Sequence, residues 1–305
     1  MAFTASDVKE LREVTGVGMM DCKKALVASD GDMEKAIEWL REKGLAAAQK
    51  KAGRIAAEGM AYAAVIDGIG VAVEVNAETD FVSKNELFVD FVKSVAEVVA
   101  KENPADLEAL MACKYPGSDL TVEQTQQEKV LVIGENIKTR RFARFSEGVS
   151  VPYIHAGGKI GVIVNLEVSA GLEEKVTELG KDLAMQIAAL NPAFLDKSQV
   201  DQSTLDKERE ILLAQAKEDP KNAGKPEAII EKMVSGRVSK YYKENCLLQQ
   251  DFVKDNTMTV EQYVASTAKA LGGKIALKSA VRFEKGEGIE KKQENFAEEI
   301  ANMVK

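Results

Sequence analysis

Histidine, cysteine and long apolar segments are scarce in this 305-residue chain, and each scarcity argues against a class of protein. His155 is the only histidine, so a serine or cysteine hydrolase would depend on that one residue as its base. Cys22, Cys113 and Cys246 lie far apart and form no CxxC pair. This spacing argues against a disulfide framework and a zinc site, and it favours a reducing compartment. We therefore expect no bound metal.

Membrane-spanning and secretory segments are also missing from the pattern. No apolar run approaches the roughly 18 residues of a membrane span, and the polar N-terminal segment reads as a helix rather than a signal or transit peptide. The net charge of −8 argues against a general surface for nucleic acids or anionic membranes. With 45% hydrophobic and 30% charged residues, the composition is typical of a folded cytoplasmic protein of two or three domains.

Phosphate-binding loops are absent as well. The glycine pairs at residues 157–158 and 272–273 lack the spacing and the hydroxyl residue of a P-loop, and Gly16-Val17-Gly18 lies between predicted helices rather than after a strand. We interpret both pairs as turns. The chain itself is therefore expected to bind no nucleotide, to need no cofactor and to catalyse no covalent chemistry.

The most informative stretch of the sequence is residues 70–95. Alternating valines predict a β-strand (Val71, Val73 and Val75), and apolar residues three and four apart predict a helix (Leu87, Phe88, Phe91, Val92 and Val95). Ser83 lies three residues before Glu86, which is typical of a capping box. Between strand and helix, Asp80 and Phe81 allow two interpretations. Either Asp80 caps the helix and Phe81 packs on the core, or Phe81 projects as an anchor for a partner.

An internal repeat bears on that choice. Residues 61–74 and 151–168 both read as strand, glycine turn and strand, and each hairpin is followed by a predicted helix that ends in Asn-Pro. The pattern predicts two similar α+β units. Only the first repeat carries the segment Thr79 to Val82, and the second has residues 169–172 in its place. The scaffold does not need Phe81, which favours a functional role for it.

Three short helices are predicted before residue 45. Thr4 or Ser6 caps the first, the second begins near Met19, and Asp32 caps a third that ends at Gly44. Residues 46–57 then read as a helical linker. The adjacent Met19 and Met20 either fill the core or form a soft apolar contact surface.

The remaining segments are mainly helical in pattern. Residues 105–145 are predicted to be mostly helical, with a break at Pro116-Gly117. Two helices around the breaker at 219–226 predict an antiparallel hairpin. A helix over 259–271, a strand over 274–283 and a final amphipathic helix follow, the last with one apolar face (Phe296, Ile300 and Met303).

Several separate motifs, in order along nearly the whole chain, resemble one family. They are VKELREVTGVGMMDCKKAL (8–26), VEVNAETDFVSKNELF (73–88), IGENIKTRR (133–141), YIHAGGKIGVIV (153–164), GKPEAIIEKMVSGR (224–237) and VRFEKGEGIEK (281–291). Together they resemble bacterial translation elongation factor Ts, the family of guanine-nucleotide exchange factors for elongation factor Tu. The resemblance implies a factor that binds the GDP form of that partner and promotes GDP release by displacing magnesium and loosening the phosphates.

With this resemblance, we predict an α+β fold and five parts. They are an N-terminal three-helix, ubiquitin-associated-like bundle with linker (1–55), two similar α+β core subdomains (56–148; 149–197 with 243–283), a protruding antiparallel helical hairpin (198–242) and a C-terminal helix (284–305). The hairpin is the implied contact of a possible homodimer. No direct contact with nucleic acid or membrane is expected.

The resemblance also implies roles for individual residues. The segment that would dislocate magnesium from elongation factor Tu comprises Thr79, Asp80, Phe81 and Val82. The bundle would contact the partner through Arg12, Met19, Met20 and Lys23, and the core through Ile133, Gly134, His155, Met233 and Val234. Glu78 departs from the residue that the family often has before this segment, which alters the local charge.

Two other classes of function fit some of these observations. A protein-binding adaptor could use the ubiquitin-associated-like bundle alone, and it would bind partners without exchange activity. An enzyme could use His155 with a carboxylate, and it would lose turnover in His155→Ala without any elongation factor present.

Overall fold

The computed structural model describes residues 3–222 and 225–290, and it has the predicted α+β character, with helices packed on antiparallel sheets. The helices are α1 (Ala5–Thr15), α2 (Met19–Ala28), α3 (Met33–Lys51), α4 (Glu86–Glu102), α5 (Leu107–Ala112), α6 (Val122–Ile133), α7 (Thr177–Leu190), α8 (Gln202–Glu218), α9 (Glu227–Asn245) and α10 (Val260–Leu271). The strands are β1 (Glu58–Ile66), β2 (Ile69–Ala77), β3 (Lys138–Phe145), β4 (Val149–His155), β5 (Ile160–Val168), β6 (Asp251–Phe252), β7 (Asp255–Thr259) and β8 (Ile275–Glu284). Within these residues, no helix is both long enough and apolar enough to cross a membrane.

The first three helices pack on one another around a small apolar core. Thr4 caps α1 through a capping box with Asp7, and Asp32 caps α3 by accepting a hydrogen bond from the Lys35 N–H. Gly16 ends α1 in the left-handed conformation, with a φ of 68°, which glycine adopts at little steric cost. The buried side chains come from all three helices (Val8, Leu11, Cys22, Ala25, Leu26, Ala36 and Leu40). The predicted caps and the predicted start of α2 are confirmed.

The prediction that Gly44 ends the third helix is wrong. Helix α3 continues to Lys51, because the alanines after Gly44 favour helix and the glycine permits a close contact with α6. A Cβ atom at Gly44 would lie 3.4 Å from the carbonyl oxygen of Gln127 in α6. Residues 52–57 are not helical, so the predicted helical linker is correct only in its first half. Leu131 and Val132 of α6 pack against the core of the first three helices and join them to the rest of the molecule.

The first sheet has the order β1-β2-β3 with antiparallel neighbours. The predicted hairpin turn is present, and Asp67 and Gly68 both have positive φ (50° and 81°), as a tight hairpin requires. Helix α4 packs on the sheet, and their contact forms the main core (Val71, Val73, Val75, Phe88, Phe91, Val92 and Val95). Leu87, which was predicted to share that face, is 42% exposed.

Strand β3 contradicts the prediction that residues 105–145 are mostly helical. Helices α5 and α6 occupy the first part of that range, but Lys138–Phe145 pairs with β2 along most of its length. Arginines at positions 140, 141 and 144 interrupt the alternation of apolar residues that identifies a half-buried strand. The strand therefore has no clear period in the sequence.

The second sheet repeats this arrangement with the order β4-β5-β8. Gly157 and Gly158 in the predicted hairpin turn both have positive φ, and α7 packs on the hairpin. Helices α4 and α7 each end at an asparagine in the left-handed conformation, Asn103 with a φ of 49° and Asn191 with a φ of 45°. Both predicted hairpin-plus-helix units are present.

The repeat extends to a shared irregularity. Gly70 of β2 corresponds to Gly161 of β5, and in this alignment the pairing with the next strand shifts register at the same position, after Glu74 and after Asn165. The extra residue lies on the neighbouring strand in both sheets, Arg140 of β3 and Lys278 of β8. The side chains of Glu74 and Asn165 are buried, and Asn165 donates a 2.6 Å hydrogen bond to the carbonyl oxygen of Glu147. The extra residue of a bulge stays outside the ladder, and in the first sheet that residue, Arg140, donates a hydrogen bond to the buried Glu74.

The two sheets pack against each other through mostly small residues. Buried side chains of both sheets form the contact (Ala61, Ala63, Ala72, Ile163 and Phe283). A Cβ atom at Gly161 would lie 2.9 Å from the Ala61 carbonyl oxygen, so glycine is needed for this approach. The Ala61 N–H also donates to the Gly158 carbonyl oxygen at 2.8 Å. The tip of the second hairpin is thereby bonded to the edge strand of the first sheet.

Helices α8 and α9 form the predicted hairpin, with Ala216, Ile230 and Val234 buried between them. A bridge between Phe194 and Cys246 closes its base. The predicted helix at 259–271 and the strand at 274–283 agree with α10 and β8 to within one residue at each end. The predicted C-terminal amphipathic helix lies outside the described residues.

Glu74 is a fully buried carboxylate at the first bulge. One oxygen accepts hydrogen bonds from Arg140 at 2.9 Å and from the Gly286 N–H at 2.8 Å, and the other oxygen accepts one from Arg141. Burial raises the pKa of Glu74, but the hydrogen bond from Gly286 and those from the neighbouring polar side chains outweigh it and leave the pKa below its ordinary value. The network fastens the segment after β8 to the first sheet.

We expect Glu74→Gln to lower the free energy of unfolding at neutral pH by about 2 kcal/mol, because Arg140 loses its carboxylate partner and Arg141 keeps only Glu287. The cost stays moderate because the side chains of Arg140 and Arg141 keep 27% and 32% of their surface in water. Since the folded-state pKa of Glu74 is lowered, this stabilisation is present above the unfolded-state pKa, about 4.3, and is lost as the pH falls through the folded-state pKa.

Urea unfolding of both proteins at a series of pH values measures this difference. Glu167→Gln, which changes an exposed glutamate of β5, is the matched control. A difference between Glu74→Gln and the wild-type chain that persisted in strong acid would contradict the assignment of the stabilisation to the ionised carboxylate.

Candidate functional site

The turn between β2 and α4 exposes an aromatic side chain and buries its neighbour. Phe81 is 82% exposed, whereas Val82 is buried in the core beneath α4. Single exposed apolar residues are common on proteins, but Phe81 exposes more of its surface than the other large apolar side chains whose exposure is given for the described residues. Val82 anchors the turn to the core, and Phe81 points away from it.

The alternative interpretation of this turn is wrong in both of its parts. Phe81 does not pack on the core, and the cap of α4 is Asn85, whose side-chain oxygen accepts the Leu87 N–H at 2.9 Å. The predicted capping box of Ser83 and Glu86 is therefore also wrong. Residues Val82–Lys84 form a short 3-10 turn instead, and the Ser83 hydroxyl donates to the Asp80 carbonyl oxygen.

A carboxylate from another part of the chain holds the base of the turn. Glu135 accepts hydrogen bonds from the backbone N–H groups of Glu78 and Thr79, both at 3.0 Å, and from the Thr79 hydroxyl at 2.6 Å. The carboxylate of Glu78 in turn accepts the Asn136 N–H at 2.6 Å and pairs with Arg54 at 3.3 Å. The sequence analysis did not identify Glu135, Asn136 or Arg54. Glu135 and Asn136 belong to the motif IGENIKTRR and directly follow the predicted site residues Ile133 and Gly134. This position in the motif was the only indication of their role in the sequence.

Ile133 and Gly134 lie next to this turn. Ile133 is the last residue of α6, and Gly134 ends the helix in the left-handed conformation with a φ of 89°. The Gly134 N–H bonds to the Val130 carbonyl oxygen, and the chain then continues directly into Glu135. The hydrogen bonds of Glu135 to Thr79 therefore bring these two predicted site residues beside the turn that carries Phe81.

His155 lies at the end of β4, at the tip of the second hairpin. Its side chain is exposed, and its Nδ1 atom is 3.0 Å from the Tyr153 hydroxyl. Because the second hairpin is bonded to β1 through Ala61, His155 is held at the contact between the two sheets. Within the described residues, the His155 side chain therefore shares a hydrogen bond with a tyrosine rather than with a carboxylate.

The N-terminal helices carry a separate exposed apolar patch. Met19 and Met20 occupy the first turn of α2 and are 51% and 66% exposed, so the interpretation that they fill the core is wrong. Val14, near the end of α1, is also exposed. Arg12 and Lys23 are exposed on the same two helices. The corner between α1 and α2 therefore presents flexible apolar side chains together with two cations.

Met233 and Val234 lie on α9 of the hairpin and differ in accessibility. Met233 is half-buried, whereas Val234 is 1% exposed and packs against α8. In this conformation a partner could reach Met233, but Val234 supports the hairpin from inside.

The sulfur and acid groups of the described residues form no metal-binding cluster of three or more His, Cys, Asp or Glu side chains. Cys22 and Cys246 are buried and Cys113 is half-buried, and each is a free thiol. Burial raises the pKa of all three thiols, so each is a weak nucleophile at neutral pH. The features that distinguish this surface are exposed apolar side chains on helices and a hydrogen-bonded turn, which suit binding to another protein.

Comparison with known proteins agrees with this description. A family profile described as Elongation factor TS matches residues 78–287, beginning at the turn that carries Phe81. The chain is 50% identical to the elongation factor Ts of Syntrophotalea carbinolica over 100% of both chains. It is 53% identical to that of Clostridium perfringens strain SM101, and the match covers 99% of both chains. It is 50% identical to that of Trichlorobacter lovleyi over 99% of this chain and 98% of the relative. The profile covers the turn and most of the core, and the relatives match along essentially the whole chain. This chain therefore belongs to the elongation factor Ts family of translation elongation factors.

Proposed function

We propose that this protein is the guanine-nucleotide exchange factor of elongation factor Tu: it binds the GDP form and promotes release of GDP. Its membership of the elongation factor Ts family supports the choice of partner. The observation that carries the proposal is the 82% exposure of Phe81 on a turn anchored by Val82. An exposed aromatic side chain can enter a partner's pocket without first breaking contacts in its own chain.

Nucleotide exchange depends on the coupling between two binding events on the same partner, that of GDP and that of the exchange factor. A factor that weakens GDP binding a thousandfold must supply roughly 4 kcal/mol of coupling free energy. Full burial of one phenylalanine contributes roughly 1.5–3 kcal/mol, so Phe81 can supply part of the coupling but not all of it. The remainder must come from contacts that form only with the nucleotide-free partner.

Within this proposal, the segment from Thr79 to Val82 lies against the partner near its magnesium site, and Asp80 and Phe81 at its tip enter the partner. Its insertion displaces the magnesium ion and loosens the phosphates of GDP. Val82 stays in its own core and holds the position of the segment. No covalent bond is made or broken by the exchange factor, so the protein acts by binding alone.

The other predicted contact residues form additional docking surfaces. The bundle surface comprises Arg12, Met19, Met20 and Lys23, and the core surface comprises Ile133, Gly134, His155 and, on the hairpin, Met233. Methionine side chains adapt to irregular apolar surfaces, and the two cations suit an acidic part of the partner. In this proposal, the bundle contributes affinity for the partner, and the Phe81 turn weakens the binding of GDP to that partner.

We expect Phe81→Ala to lower the rate of GDP release at least about tenfold, because it removes the inserted side chain. The free energy of unfolding should change by less than about 0.5 kcal/mol, since the side chain is already in solvent. Release of a fluorescent GDP from elongation factor Tu, at matched magnesium and substoichiometric factor, measures the first effect. Urea unfolding measures the second.

Phe88→Ala is the matched control, because Phe88 is a fully buried phenylalanine of α4, the helix that follows the same turn. It should cost about 3–5 kcal/mol of stability. If Phe81→Ala lost as much stability as Phe88→Ala, the proposal that Phe81 inserts into the partner would be wrong. Binding of the wild-type chain without accelerated release would point instead to an adaptor.

The helical hairpin is the proposed contact between two copies of the chain. Ile211 and Ile229 are 52% and 48% exposed on it. Replacing residues 202–242 by a short glycine-serine linker, with Phe194 and Cys246 kept, should lower the mass of a dimer to that of a monomer. It should reduce exchange less than it reduces self-association. Sedimentation measures the mass, and an unchanged mass would rule the hairpin out as the dimer contact.

A further inference from the structure

The segment that carries Phe81 is held by a reciprocal exchange of hydrogen bonds between two pairs of adjacent residues. Glu78 and Thr79 donate their backbone N–H groups to the carboxylate of Glu135. Asn136, the next residue, donates its backbone N–H to the carboxylate of Glu78. We infer that Glu135 is a positioning residue for the Phe81 turn, which sets the direction in which Phe81 meets the partner. The inference rests on the proposed exchange function.

Glu135 is well suited to fix this piece of backbone. One carboxylate oxygen accepts both N–H groups at 3.0 Å, and the other accepts the Thr79 hydroxyl at 2.6 Å. Hydrogen bonds to an ionised acceptor are stronger than those between neutral groups. Thr79 is bonded through both its backbone and its side chain, and it stands two residues before Phe81. The bonds therefore act on the chain at the base of the exposed tip.

Arg54 completes the arrangement. Its guanidinium group pairs with Glu78 at 3.3 Å, and its backbone carbonyl oxygen accepts the Asn136 side-chain amide at 2.8 Å. The cation offsets the negative charge that Glu78 and Glu135 bring to the same place. Three separate segments thus meet here: the end of β2, the segment after α6 and the segment before β1.

The location of these bonds separates a positioning role from general support of the fold. Val82 and α4 belong to the main core, which Glu135 does not enter. Glu135 is itself only half-buried. Loss of its carboxylate should therefore free residues 78–81 while the sheet and α4 remain folded. A freed turn would have to become ordered when the partner binds. This ordering would cost free energy that is otherwise available to weaken the binding of GDP to the partner.

The test compares Glu135→Ala, Glu135→Gln and Glu123→Ala with the wild-type chain. Glu135→Gln is the conservative variant, because the amide side chain keeps an oxygen for the two N–H groups. Glu123 is an exposed glutamate on the first turn of α6, and Glu123→Ala is the matched control. Residue-resolved hydrogen exchange of the free chain measures protection of the Glu78 and Thr79 amides. Release of fluorescent GDP from elongation factor Tu, over a range of factor concentrations, measures the maximal rate and the half-saturating concentration.

In Glu135→Ala, we expect exchange of the two amides to accelerate at least about tenfold, with the amides inside β2 unchanged. The maximal rate of GDP release should fall about tenfold, and the half-saturating concentration should change less than about threefold, because the other docking surfaces remain. Glu135→Gln should restore most of both properties. Glu123→Ala should resemble the wild-type chain.

Unchanged protection of the two amides in Glu135→Ala, or lost protection with an unchanged maximal rate, would overturn the inference. A loss of protection throughout the first sheet would also overturn it, by making Glu135 a residue of general stability. If the wild-type chain failed to accelerate release, the proposed function would fail. The amide measurement would then still decide whether Glu135 fixes the turn.

Discussion

The close contact between the two three-stranded β-sheets is the constraint on which the remaining structure depends. Gly161 has no side chain to separate its strand from Ala61, and Ala61 bonds directly to the tip of the second hairpin. This contact places His155 at the boundary of both sheets. On the other side, the segment after β8 reaches back to the first sheet, where the Gly286 N–H meets the buried Glu74. Each unit is therefore completed by groups from the other.

The sequence predicted the elements whose signal is local. The hairpins, the asparagines that end α4 and α7, and the caps at Thr4 and Asp32 all follow from residue types within a few positions of one another. Strand β3 was missed because Arg140 and Arg141 bond to a buried acid, Glu74, on the neighbouring strand β2. Nothing in the sequence of β3 itself indicates this contact. Gly44 was misread because a glycine that permits close helix packing looks like one that ends a helix.

The candidate site, like the fold, was predicted only in part. The sequence left two interpretations of Phe81, and the second repeat favoured a functional role because it has no matching aromatic residue. The direction of Phe81 was open until the fold placed Val82 in the core. Glu135 could not be found from the pattern, because a polar residue after a helix reads as loop. Its hydrogen bonds to Thr79 exist only once distant segments meet.

Helix α6 has a consequence for the spacing of the two exposed surfaces. Along its 12 residues it contacts α3 at Gly44 and the bundle core through Leu131 and Val132, and the chain beyond its end bonds to the Phe81 turn. A helix advances 1.5 Å and turns about 100° with each residue. One residue added or removed would swing the bundle by about 100° relative to the turn. The length of α6 therefore fixes both the distance and the rotation between the bundle and the Phe81 turn.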